Sequence, residues 1–114
     1  MSMTPAQARG LATTFPEAVE QLHFHKASFR VAKKIFATMD EADAHMVVKL
    51  TADQQAMMTE VRPDLYRTVP GAWGRQGWTI VRLQAADAAS LRHALAMSYR
   101  NVAPKKLAAL VAEG

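Results

Sequence analysis

The sequence predicts a single α+β domain built on an antiparallel sheet. Its 114 residues fit one domain, and no repeat or linker divides residues 1–114. Half of the residues are apolar, which is enough for one hydrophobic core. Predicted strands occur in consecutive runs, and the full order is α-β-β-β-α-β-β-α. Strands that do not alternate singly with helices favour an antiparallel sheet over a parallel wound one.

The first predicted helix begins near the N-terminus. Thr4 can cap it, and Pro5 then occupies the first helical position, where its missing N–H costs nothing. Pro16 ends the helix. The stretch from Glu17 to Lys26 is interpreted as a loop or a short edge strand.

A three-strand meander follows. Phe29–Ala32 and Ile35–Met39 alternate apolar and other residues as strands do, with Lys33-Lys34 as the expected two-residue turn. The polar residues 40–43 form the next turn, and His45–Leu50 is the third strand. The pairs expected on one face are Val31 with Phe36 and Phe29 with Thr38.

The remaining elements are two strands between helices. Thr51 caps a helix over 52–60, which ends before Pro63. Leu65–Val69 and Trp78–Leu83 are the last two predicted strands. Asp87 caps the next helix, and Pro104 either begins a further helix over Lys105–Ala112 or kinks a continuous one.

The distribution of charge along the chain bears on the kind of partner that the protein binds. The net charge is +4 with a pI near 9.8. Residues 1–61 hold six Lys/Arg and seven Asp/Glu, a net −1, whereas residues 62–114 hold eight and three, a net +5. This asymmetry indicates a polyanionic partner, although basic surfaces also serve solubility alone.

The chain carries no signal for a membrane, a disulfide or secretion. It contains no cysteine, so it has no disulfide, no thiolate nucleophile and no sulfur ligand for a metal. No apolar run approaches the roughly 20 residues that cross a bilayer. The N-terminus lacks the basic and apolar regions of a signal peptide. We therefore predict a cytoplasmic protein with no membrane partner.

Three collinear segments resemble one family. They are His23–Val31 continuing through Lys34–Ala37, Val69–Gly74 with Gly77–Thr79, and Ser98–Arg100 with Ala103–Leu107. Together they are similar to the MmcQ/YjbR family of small bacterial proteins. The turn before Lys34 often carries glycine in relatives, whereas Lys33 stands there in this sequence.

The resemblance implies a fold and a function. The implied fold is a two-layer α+β domain in the order α-β(3)-α-β(2)-α, with helices on one side of a five-stranded antiparallel sheet. Members are usually described as DNA-binding through a double-wing interpretation of their shape, and the fold type also resembles that of secretion chaperones. The family offers no established catalytic residue.

Basic residues are the candidates for binding DNA. Phosphate contacts from lysine and arginine supply most non-specific affinity for nucleic acid, so weak binding without sequence preference is expected. A second interpretation of Lys26, Arg30, Lys33 and Lys34 is a lysine-protected sheet edge. The predicted contacts are Lys26, Arg30, Lys33, Lys34, Arg75, Lys105 and Lys106.

The two tryptophans define a second candidate site. His23, Trp73 and Trp78 could line a small-molecule pocket, and at least one indole is expected to be buried. The glycines around Trp73 and Trp78 lack the spacing of a nucleotide-binding loop. His23 and His25 could face one side of an extended segment, but two imidazoles are too few for a stable metal site without a third ligand. We predict no metal and no cofactor.

No acid–base pair or nucleophile motif is visible, so an enzyme is not predicted. The first hypothesis is a DNA-binding module that acts through basic-face phosphate contacts. The alternatives are a chaperone-like protein-interaction module and a small-molecule binder at Trp73 and Trp78.

Overall fold

The computed structural model, which describes residues 2–23 and 26–111, has one layer of helices on one face of an antiparallel sheet. The sheet has six strands in the order β1-β2-β3-β4-β6-β5. The predicted α+β class is confirmed. The strands are β1 (Val19–His23), β2 (Lys26–Val31), β3 (Lys34–Asp40), β4 (His45–Lys49), β5 (Tyr66–Thr68) and β6 (Trp78–Arg82).

The sheet gains one strand over the predicted five. The additional strand is β1, which begins two residues after Glu17, where φ is positive at 56°, and pairs antiparallel with β2. Pairing extends from Val19 opposite Arg30 to His23 opposite Lys26. Of the two interpretations given to residues 17–26, the edge strand is therefore the one observed.

The hairpin between β2 and β3 differs from prediction in register. Ala32 and Lys33 both have positive φ, at 50° and 69°, and form the two-residue turn in place of Lys33-Lys34. The observed partner of Val31 is therefore Lys34 rather than Phe36. A register shift next to Phe29 then sets that residue opposite Ala37 rather than Thr38.

Three of the helices begin with reciprocal capping boxes. The cap residues are those predicted: Thr4, Thr51 and Asp87 each accept a hydrogen bond from the backbone N–H three residues later. Within the described residues, no helix is long and apolar enough to cross a membrane. The helices are α1 (Pro5–Ala12), α2 (Ala52–Val61), α3 (Ala72–Arg75), α4 (Ala88–Val102) and α5 (Lys105–Ala108).

The core lies between the sheet and α1 and α4. The rings of Phe15, Phe36 and Tyr99 pack with centroid separations of 5.3–6.0 Å. Buried Ser98 joins α4 to two strands, because its hydroxyl donates to the carbonyl oxygen of Phe36 and accepts from the backbone N–H of Lys49. This packing fixes α4 across β3 and β4, and none of the helices described for residues 2–23 and 26–111 covers the other face of the sheet.

Gly77 is required where the chain enters β6. Its φ is 102°, and a Cβ at this position would collide with the carbonyl oxygen of Leu50. The Leu50 N–H also donates to the Gly77 carbonyl oxygen at 2.9 Å. Gly10 in α1 has no atom within 4 Å of an added Cβ.

We expect Gly77→Ala to lower the free energy of unfolding by at least about 2 kcal/mol, because strain and collision add. Gly10→Ala is the matched control and should raise it by about 0.5–1 kcal/mol, since alanine favours a helix. Urea unfolding of both variants measures the difference. Equal stabilities for the two variants would contradict the close approach described here.

Candidate nucleic-acid interface

One face of the sheet is uncovered, and we call it the open face. Alternate residues of each strand point to it, while their neighbours point to the core. In β4, for example, Met46 and Val48 are fully buried, whereas His45, Val47 and Lys49 remain partly exposed. The open face consists of Val19, Gln21, Lys26, Ser28, Arg30, Ile35, Thr38, Asp40, His45, Val47, Lys49, Arg67, Trp78, Ile80 and Arg82, none of which is buried.

The residues that define the open face include more cations than carboxylates. Asp40 is the single carboxylate among the residues that define it, and no ion pair within 4.0 Å is formed by its cations in the described part of the chain. Cations without carboxylate partners produce a positive potential that attracts polyanions. The cations are Lys26, Arg30, Lys49, Arg67 and Arg82.

Cross-strand pairing arranges these residues in rows. A largely neutral row crosses the centre, where Thr38 lies opposite Val47 and Val47 lies opposite Ile80. Charged residues lie on both sides of this row. Lys49 and Trp78 pair toward one end of the strands, and Arg82 lies opposite His45 toward the other. The two charged rows are separated by four residues along a strand, or about 13 Å.

A groove of about 540 Å³ lies at one end of the open face, and we call it the rim groove. It carries three cations, Lys34, Lys49 and Arg75, and no carboxylate. The Lys49 ammonium lies 5.2 Å from the centre of the Trp78 ring, a cation–π contact. The residues that line the rim groove are Lys34, Ile35, Lys49–Ala52, Arg75–Trp78, Asn101 and Val102.

A second groove, of about 470 Å³, lies at the other end and has mixed charge. Arg67 and Arg82 line it together with Asp43 and Asp64. A hydrogen bond from the Arg62 guanidinium lowers the pKa of the Asp64 carboxyl, so Asp64 stays ionised near neutral pH. This groove therefore offers an anion much less net attraction than the rim groove does.

One trio of potential metal ligands borders the second groove. The ligand atoms of Asp40, Asp43 and His45 lie within 4.8 Å of one another. Lys26 and Arg82 occupy the same cross-strand row as Asp40 and His45, and their positive charges oppose a cation there. Charge thus disfavours a metal at this trio.

The structure brings four of the predicted DNA contacts to the sheet surface or its rim. Lys26 and Arg30 lie on the open face, and Lys34 and Arg75 line the rim groove. Lys33 is exposed at the tip of the β2–β3 turn. Of these residues only Arg75 comes from a distant part of the sequence, and the fold brings it to the same groove as Lys34.

The structure does not bring Lys105 and Lys106 to this surface. They lie in α5, which packs on α4 in the helix layer, and neither lines the rim groove. Three cations of the open face, Lys49, Arg67 and Arg82, were absent from the predicted contacts. Strand alternation was the signal that could have found them, because each is out of phase with the buried residues of its strand.

The predicted pocket of His23, Trp73 and Trp78 is not assembled. His23 is in β1, and β2, β3 and β4 separate that strand from the β6 strand of Trp78. The expectation of a buried indole was wrong, because Trp73 is 63% exposed and Trp78 is half-buried. The reason is that α3 packs through buried Gly74, and β6 directs Trp78 to the open face.

The two histidines considered as metal ligands, His23 and His25, cannot be compared with the structure in full. His25 and the side chain of His23 fall outside the described residues. A third ligand would have to come from another residue, and Glu20, on the same strand as His23, is ion-paired with Arg9 at 2.7 Å. His45 is in β4, three strands away from β1.

Comparison with known proteins identifies the family. No curated protein matches the chain. The crystal structure of Deinococcus radiodurans protein DR2400, with a DUF419 domain, is similar with a TM-score of 0.74 at 17% identity, covering 88% of this chain and 78% of that one. The similarity concerns the fold. The YjbR family model matches residues 13–101, which is most of the chain. This match confirms the resemblance found in the sequence, and the chain belongs to the YjbR family.

Proposed function

We propose that this protein is a non-enzymatic module that binds DNA through the open face, by phosphate contacts and with little sequence preference. The observation that carries the proposal is the charge of this uncovered surface. Five cations, Lys26, Arg30, Lys49, Arg67 and Arg82, project from it against the single carboxylate of Asp40. Contacts of this kind position a protein on nucleic acid and carry no sequence information directly.

The shape of the open face also supports a nucleic-acid partner. Neutral side chains such as Val47 and Ile80 form a central strip between charged rows. A sugar–base edge could lie along this strip while phosphates meet the cations on either side. Among the residues that define the open face, Trp78 is the one Phe, Tyr or Trp, so base stacking contributes less than phosphate contact.

Mapping the contact surface by NMR tests this proposal. Titration with a short DNA duplex or single strand at about 50 mM salt should shift the backbone amides of β2, β4 and β6, because non-specific contacts are strong at low salt. The amides of α1 and the buried face of α4 should remain in place. Shifts confined to the helix layer, or no shifts at all, would refute the open face as the binding surface.

Exposed apolar side chains give the protein-interaction alternative weaker support. They are distributed over β1, α2, α3 and the segment after α5, and no element carries more than two. A docking surface for a protein partner would need them contiguous. Among the large apolar residues of the described chain, those more than 60% exposed are Leu22, Met57, Val61, Trp73 and Leu110.

A further inference from the structure

We infer that the rim groove is a site for a terminal phosphate monoester, such as the 5′-phosphate at the end of a DNA strand. The inference rests on the proposed function, because the groove adjoins the open face and shares Lys49 and Trp78 with it. It goes beyond that function by naming a defined chemical group at a defined place. The open face alone requires only phosphodiesters.

Charge is the first argument. Lys34, Lys49 and Arg75 line one concave surface with no carboxylate among the lining residues. Within the described chain, none of the three has a carboxylate oxygen within 4.0 Å. A terminal phosphate carries about −1.5 to −2 charges at pH 7, against −1 for a diester. Three convergent cations therefore favour the monoester.

Preorganisation is the second argument. The ammonium of Lys49 lies over the Trp78 ring at 5.2 Å. Both polar groups of the Lys49 backbone are held by α4. The Lys49 N–H donates to the Ser98 hydroxyl at 2.8 Å, and the Lys49 carbonyl oxygen accepts from the Asn101 side-chain amide at 3.0 Å. A cation held in place loses less entropy when it binds an anion than a free surface lysine does.

Size and geometry are the third argument. The groove volume of about 540 Å³ lies within the range of small-molecule sites, which is about 300–1,000 Å³. Arg75 supplies a planar guanidinium that can bind two phosphate oxygens at once. Lys49 and Trp78 line the groove and also belong to the open face, so a strand bound on that face could end in the groove.

The first test uses Trp78 as a reporter in a Trp73→Phe background, where it is the only remaining tryptophan. Deoxyribose 5-phosphate should change its fluorescence saturably, and deoxyribose should bind at least about tenfold more weakly. Lys34→Glu combined with Arg75→Glu should weaken binding by more than about tenfold, because two cations become carboxylates. Reversal of Lys105 and Lys106, which do not line the groove, should weaken binding much less than the Lys34/Arg75 reversal does.

A second measurement separates a free sugar phosphate from a strand end. A single-stranded oligonucleotide with a 5′-phosphate should bind at least about threefold more tightly than its 5′-hydroxyl form, and the Lys34/Arg75 double reversal should remove this preference. Both residues are exposed, so we expect the double variant to fold. Thermal melting of the variant checks this directly.

The outcomes distinguish this inference from the proposed function. No saturable response to deoxyribose 5-phosphate up to about 10 mM, a limit for weak binding, would overturn the phosphate site while leaving DNA binding by the open face intact. Equal responses to deoxyribose and its phosphate would also overturn it. Saturable phosphate binding without any DNA binding would support the groove and refute the function proposed for the open face.

Discussion

Reversing Arg67 and Arg82 together to glutamate will weaken DNA binding by at least about 100-fold at 50 mM salt, because two phosphate contacts are lost and two repulsive charges are added. Both residues are exposed on neighbouring strands, at the end of the open face away from the rim groove. Neither forms an ion pair in the described structure, so the fold should tolerate the change. Fluorescence anisotropy with a labelled duplex measures the affinities.

The control is the double reversal of Lys105 and Lys106. It changes the net charge by the same amount but lies in the helix layer. We expect its affinity to stay within about threefold of the parent, since surface charges farther than a Debye length are largely screened. Equal losses in the two variants would mean that DNA responds to net charge alone and that the open face has no special role.

Replacing Ser98 with alanine will lower the free energy of unfolding by about 2–4 kcal/mol, because it leaves two backbone groups unsatisfied. The hydroxyl is fully buried and joins the Phe36 carbonyl to the Lys49 N–H. Both groups lie between α4 and the sheet, where solvent cannot replace the lost hydrogen bonds.

Ser90→Ala is the matched control. Ser90 belongs to an exposed capping box at the start of α4, and its loss should cost about 0.5–1 kcal/mol. Guanidinium unfolding of both variants gives the comparison. If Ser98→Ala unfolds at the same denaturant concentration as the parent, Ser98 does not fasten α4 to β3 and β4.

Much of the fold could be predicted from local chemistry. Thr4, Thr51 and Asp87 were recognisable as helix caps because their side chains satisfy N–H groups that the helix leaves free. The sequence alternates Trp78 and Ile80 with Thr79 and Val81, and these two sets occupy opposite faces of β6. Helix caps and two-residue alternation depend on residues within one helix or strand, so they can be recognised without knowledge of the rest of the fold.

The missed features depend on the whole chain. The register of β2 and β3 was set by two residues other than glycine, Ala32 and Lys33, with positive φ, which sequence preferences disfavour. The edge strand β1 is stabilised by its pairing with β2, a tertiary influence that its own sequence does not express.

The candidate site was predictable only in part. Lys26, Arg30, Lys34 and Arg75 could be chosen from local charge, but the placement of Arg75 beside the same groove as Lys34 depends on the fold. Lys49 was missed because alternation assigns it to the outer face of β4 but does not say which residues surround it there. It gains its place beside Trp78 only through the pairing of β4 with β6.

The central claim is that cations of the open face contact DNA phosphates. The most direct measurement is the affinity of the unaltered protein for a DNA duplex as a function of salt. With Lys26, Arg30, Lys49, Arg67 and Arg82 engaged, log K should fall against log salt with a slope of about −4 to −5. A slope near zero, or no binding at about 50 mM salt, would contradict the account.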